Sequence, residues 1–149
     1  MDWLWKHKLV LVLAIVAVAY WFYNPADRFG YVREGLIVYN RIPVAFFDCY
    51  IDPDGKLFLE SDLSVLNNQN YWFEQHFSNY QNHTPNTAIP LYIGTGFDGA
   101  KQFHPNGEIL RKCRVRGFEP AIMSSGAAIT RFNGLRQQQK KCALLLKLH

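Results

Sequence analysis

The longest apolar run is Leu9 to Tyr23 (LVLVLAIVAVAYWFY), which contains no charged side chain. As a helix rising about 1.5 Å per residue it measures about 22 Å, short of a bilayer core of roughly 30 Å. Counted from Trp3 it reaches about 31 Å, with Lys6 and Lys8 near enough to the end to extend toward headgroups. Trp3 and Trp5 before the run and Tyr20 to Tyr23 after it resemble aromatic belts, and Asn24-Pro25 stops the helix. The pattern predicts one transmembrane helix over residues 1–24, anchored through Trp3, Trp5, Leu9, Leu13, Tyr20 and Trp21. A cleaved signal peptide competes, with Ala17-Val18-Ala19 as its small-residue site, but two Trp residues are out of place in a basic region. Lys6 and Lys8 balance Arg28 and Arg33, so the side of the membrane stays open.

After a linker at residues 25–34, the periodicity switches to that of strands. Leu36 to Tyr39, Val44 to Ile51 and Lys56 to Leu59 are β-rich runs separated by Asn40 to Pro43 and by the turn Asp52-Pro53-Asp54-Gly55, which predicts an antiparallel meander. Asp62 to Tyr80 has apolar positions at helical spacing, and Gln81 to Thr87 is loop. Leu91 to Ile93 is a short strand. Pro105 to Arg114 is a helix with Ile109, Leu110 and Cys113 on one side. Phe118 to Met123 is a strand, and Ser124 or Ser125 caps a helix reaching about Gln139. Cys142 to Leu146 (CALLL) is a strand covered on both faces. The fold class expected is α/β: an antiparallel meander followed by a βαβαβ unit in a single domain over residues 35–149, preceded by the transmembrane helix.

Composition changes the picture in one respect. With 49% hydrophobic and 19% charged residues the 149-residue chain is not disordered, and three cysteines are too few and too odd for a disulfide scaffold. The net charge of +4 hides a division: residues 27–100 carry four basic and nine acidic side chains, whereas residues 101–149 carry ten basic and two acidic. The basic portion suits an acidic protein partner or anionic lipid, with a solvated helix face as the alternative. Arg111, Arg114, Arg116, Arg131, Lys140 and Lys141 form the expected partner surface, with both helices on one side of the sheet. Nucleic acid is not expected, because basic residues are not interleaved with exposed aromatics.

One motif suggests a cofactor. Gly94-Thr95-Gly96-Phe97-Asp98-Gly99 matches G-x-G-x-x-G after a strand, and Glu119 follows 20 residues past Gly99. That fingerprint needs its glycines to open a helix facing the pyrophosphate, and Pro105 with Asn106-Gly107 prevents a helix running on from Gly99. Gly94, Gly96 and Gly99 therefore read as a tight structural turn, with nucleotide binding as the alternative. The His and Cys residues lack metal-ligand spacing, so no metal site, cofactor or catalytic constellation is expected. Cys49, Cys113 and Cys142 fall where buried, inert thiols belong. Ser124-Ser125-Gly126 lacks the G-x-S-x-G order of a nucleophile elbow.

Ile93-Gly94-Thr95-Gly96, Gly117-Phe118-Glu119-Pro120, Ala127 to Leu135 (AAITRFNGL) and the closing run Cys142 to Leu146 resemble a small α/β family. That family includes the mitochondrial complex I assembly factor three and the adipogenesis-associated domain protein. The resemblance covers roughly Phe29 to His149 and is weakest between Asn67 and Thr87. It implies a meander followed by a βαβαβ unit and, for one branch, a part in building NADH:ubiquinone oxidoreductase. It carries no catalytic residue. Family members are generally soluble, so the N-terminal helix points to a resident accessory subunit. The expectation is a non-enzymatic, single-pass accessory or assembly subunit of complex I or its supercomplex in the mitochondrial inner membrane. Its partners would be protein subunits and the lipid bilayer. The competing expectation is a membrane-tethered nucleotide-binding or redox domain using the Gly94 to Gly99 turn.

Overall fold

The computed structural model describes residues 2–63, 75–76, 88–97 and 102–148, with residues 2–6 described by their backbone only. The chain begins with helix α1 (Asp2–Tyr23). Strands β1 (Phe29–Arg33), β2 (Leu36–Tyr39) and β3 (Ile42–Ala45) follow as a three-stranded antiparallel meander. Next come β4 (Asp48–Ile51), β5 (Leu57–Glu60), β6 (Ile89–Gly94), helix α2 (Gly107–Val115), β7 (Phe118–Met123), helix α3 (Ser125–Gln137) and β8 (Ala143–Leu146). The last five strands form a second sheet in the order β5-β4-β8-β6-β7. Within it β6 pairs parallel with both β7 and β8, and β4 pairs antiparallel with β5 and β8. The α/β class and the βαβαβ unit expected from the sequence are present.

The transmembrane helix is not. No helix among the described residues is long and apolar enough to cross a membrane, which overturns the spanning anchor and the single-pass inner-membrane localisation expected with it. The uncharged stretch falls short of a bilayer core, and lengthening it toward the N-terminus takes in Lys6, His7 and Lys8. Its other end is held by polar groups of the domain. Tyr20 Oη donates to the Arg41 carbonyl at 2.9 Å, and the Arg41 guanidinium lies 3.4 Å from the Trp21 ring centroid. Arg41 Nε donates to the Asn24 carbonyl, and Asn24 closes the helix by donating from its backbone N–H and Nδ2 to the Tyr20 carbonyl. The two aromatics read as an interfacial belt are thus a joint between helix and domain.

Two boundaries also differ. The expected linker contains β1, whose residue Tyr31 donates its N–H to Asn24 Oδ1. The strand expected over Val44 to Ile51 is two strands in different sheets, separated at Phe46, which adopts φ 64. A non-glycine residue in the left-handed region breaks the strand and redirects the chain. Most of the helix expected over Asp62 to Tyr80, and the whole loop expected over Gln81 to Thr87, lie outside the described residues.

Alternating side chains of the large sheet build two cores. On one face Tyr50, Leu91, Ile93 and Leu145 pack with Ile109 and Cys113 of α2. On the other, Cys49, Ile51, Leu144 and Leu146 pack with Ala128, Ile129 and Phe132 of α3 and with Phe29, Ile37, Tyr39 and Val44 of the small sheet. β8 is buried at all four positions, as its unbroken apolar run requires. Asn106 caps α2 by accepting from the Ile109 N–H, and Ser124 caps α3 by accepting from the Ala127 N–H. At the open edge, Ile89 and Thr95 N–H groups reach the Gly117 and Met123 carbonyls. The odd-numbered residues of β7 therefore face β6, and Pro120 turns outward, where it has no N–H to offer a further strand.

Candidate functional site

In a sheet of this kind ligands usually sit beyond the carboxyl ends of the parallel strands, here Gly94, Met123 and Leu146. That position is filled by the chain itself. A Cβ at Gly94 would stand 2.7 Å from Leu146 Cδ1 and 2.9 Å from Ser125 Cα and Oγ, so only glycine fits. Gly96 adopts φ 139 and donates its N–H to Ser125 Oγ at 3.0 Å, while its carbonyl accepts from the Ser125 N–H. Ser125 Oγ in turn donates to the Lys147 carbonyl at 2.8 Å, and the Lys147 N–H returns to the Gly94 carbonyl. Thr95 donates both its N–H and its hydroxyl to the Met123 carbonyl.

Gly94 and Gly96 thus join β6, the start of α3 and the end of β8, and the Gly96 N–H is already spoken for. Helix α2 begins only at Gly107, so the glycines themselves do not open the helix that the fingerprint needs. Gly99 lies outside the described residues. Ser125, read from sequence only as a helix cap, is fully buried and acts as the hub of the turn.

Beside the turn lies a charge cluster that the sequence reading did not find. Lys147 Nζ contacts Asp48 Oδ2 at 2.9 Å and Asp62 Oδ1 at 2.8 Å, with Lys147 and Asp48 both buried. The Asp48 carboxylate also accepts the Leu63 and Leu148 N–H groups, each at 2.8 Å. Burial works to lower the Lys147 pKa, but its hydrogen bonds to Asp62 and Asp48 outweigh this and raise it. The available signals were a lone acid inside the apolar stretch Phe47 to Ile51 and a lone lysine directly after Leu146.

The three thiols are buried and free. Burial pushes Cys113 up to about 12 and Cys142 up to about 11, and it raises Cys49 further. Their thiolates are scarce at neutral pH, so none is set up as a nucleophile. Among the described residues no group of three or more His, Cys, Asp or Glu could hold a metal ion.

The expected basic surface is divided. Arg111 and Arg114 are exposed on α2 with Arg116 at its end, whereas Arg131 is exposed on α3, across the sheet. The division follows from chain order: β6 to β7 and β7 to β8 step in opposite directions across the sheet, and two right-handed crossovers of opposite step need opposite faces. Lys140 and Lys141 follow α3, and Lys141 pairs with Asp54 at 2.9 Å. They border a cavity of about 300 Å³ with Arg136, Asp27 and Asp54, where both signs of charge meet. On α1, Leu9 and Leu13 are 61% and 59% exposed, while the side chains of Trp3 and Trp5 lie outside the described residues.

No protein-family profile and no curated protein matches the chain. Solved structures do match. An outer membrane protein from Bartonella henselae is similar at 17% identity and a TM-score of 0.61, over 85% of this chain and 97% of that one. A Xanthomonas campestris protein determined by NMR is similar at 20% identity and a TM-score of 0.55, over 84% of this chain and 82% of that one. A conserved hypothetical protein from Pyrococcus horikoshii is similar at 16% identity and a TM-score of 0.52, over 81% of this chain and 98% of that one. At such identities the likeness shows a common fold and nothing of activity.

Proposed function

We propose that the chain is a non-enzymatic accessory or assembly protein of a respiratory complex, NADH:ubiquinone oxidoreductase in the first instance, working by binding protein subunits. The observation that supports this reading is the closed turn at the carboxyl ends of the parallel strands. Where a cofactor would be held, the Gly96 N–H is taken by Ser125 and the space beside Gly94 by Leu146. The groups left to act lie on the outside: arginines on two separate faces and an exposed apolar helix. The motif resemblance supplies the kind of complex, and a meander joined to a βαβαβ unit is the fold which that resemblance implies.

The test is purification of the full chain from its native source under mild conditions, followed by identification of what co-migrates. Subunits of the NADH:ubiquinone oxidoreductase are expected in stoichiometric amount. Saturable binding of NAD(P), flavin or ATP that disappears in Gly96→Leu, or a co-migrating set without respiratory subunits, overturns the proposal.

A further inference from the structure

Helix α1 carries an apolar surface all the way round. Leu9, Val10, Leu11, Val12 and Leu13 are 55–63% exposed, and five consecutive residues at about 100° intervals cover the whole circumference. A helix of this kind needs cover from more than one direction. Beside its C-terminal half lies a cleft of about 510 Å³. Leu36, Val38 and Pro43 of the small sheet form its floor, and Val16, Ala19 and Tyr23 of α1 form one wall. Its lining comes from α1, Asn24 and the small sheet, so a second helix lying alongside α1 would cover it.

We propose that the chain forms a two-fold homodimer in which the α1 helices pair antiparallel, each seating its Leu9 to Val16 half in the other copy's cleft. The chain carries both complementary parts, an uncharged helix and an uncharged cleft, as a two-fold interface requires. Two-fold pairing also covers each helix from two directions, by the partner's helix and by the partner's sheet. Eight exposed aliphatic side chains between Leu9 and Val18 present on the order of 100 Å² each. That matches the roughly 800 Å² per partner buried in a stable complex. The Tyr20, Trp21 and Asn24 contacts hold α1 against the domain, so the cleft exists before the partner arrives.

Sedimentation of the full-length chain, with cross-linking, tests the arrangement. A dimer is expected. Mixing separately made Val12→Cys and Leu36→Cys variants, one of them tagged, should give a disulfide between tagged and untagged chains, the native thiols being buried. Leu13→Glu and Val16→Asp should each weaken dimerisation by at least about 100-fold, with the near-ultraviolet circular dichroism of the domain unchanged in Leu13→Glu, whose site is already exposed. A monomer, an open-ended series of larger assemblies, a dimer indifferent to both variants, or no Val12–Leu36 cross-link overturns the proposal.

Discussion

Asn133 on α3 holds both backbone polar groups of Phe29: its Oδ1 accepts the Phe29 N–H at 2.8 Å, and its Nδ2 donates to the Phe29 carbonyl at 2.9 Å. The side-chain amide does for β1 what a neighbouring strand would do, across 104 residues of sequence. A side-chain amide offers a donor and an acceptor side by side. Asn133→Leu should therefore lower stability by about 2 kcal/mol, because two partly buried backbone groups lose their partner. Asn133→Asp, which keeps the acceptor, should cost less. Urea denaturation of the two variants measures the difference.

Replacing Lys147 by Met leaves the buried Asp48 carboxylate without its cation and should cost about 3–5 kcal/mol. Adding Asp48→Asn should recover part of that loss, since the uncompensated charge is then gone. The wild-type contribution has a definite pH sign. Because the Lys147 pKa is raised in the folded chain, its contribution is complete below the unfolded value of about 10.4 and is lost as pH rises through the folded one. Urea midpoints of wild type and Lys147→Met should draw together as pH rises through the folded Lys147 value.

The thiols should behave as core residues. At pH 8 none of the three should react with iodoacetamide on the timescale of an exposed cysteine, and all three should react in denaturant. Their raised pKa values mean that the unfolded chain releases these protons first. Stability should accordingly fall as pH climbs above about 8.5 toward the folded values.

Gly94→Ala puts a methyl against Leu146 and the Ser125 backbone and should destabilise by about 1–3 kcal/mol. Gly96→Ala asks an alanine to hold a positive φ and should cost about 1 kcal/mol or more. Thermal melts of both variants check these values, and an unchanged melting temperature would mean that the turn relaxes.

Because the arginines stand on opposite faces of the sheet, their roles are separable. Arg111→Glu with Arg114→Glu should impair incorporation into the proposed complex in a salt-sensitive manner if the partner docks on α2, and Arg131→Glu alone should do so if it docks on α3. Each variant should stay folded, surface changes costing under about 0.5 kcal/mol. Loss of incorporation at native pull-down with only one of the two variants identifies the docked face.

The parts of the fold read correctly from sequence were those whose own residues suffice. The run Ala143–Leu146 is a strand wherever it is buried, and Ser124 marks the start of its helix locally. β1 was missed because Gly30 interrupts its alternation and Pro25 stands just before it, while the amide that satisfies the free side of Phe29 lies on Asn133. Helix α1 was misread because an apolar run has one local signature whatever holds its end. Its stacked partner Arg41 lies 20 positions past Trp21. The Asp48–Lys147 pair, 99 residues apart, and the separation of the arginines both depend on strand order, which no short window contains.

The position of β8 bears on how the chain is made. It is the last strand in chain order, yet it lies between β4 and β6 and is the only described element joining the β4–β5 hairpin to the β6–β7 pair. Until residues 143–146 emerge from the ribosome, both halves of the sheet wait with an open apolar edge, and the hairpin's central residue Tyr50 has no Leu145 to lie against. Such contacts form slowly because the intervening chain must first be closed into a loop. The nascent chain therefore exposes both apolar edges until residues 143–146 are available, and a stop codon before Ala143 would remove the keystone of the sheet and leave two sticky fragments on one polypeptide.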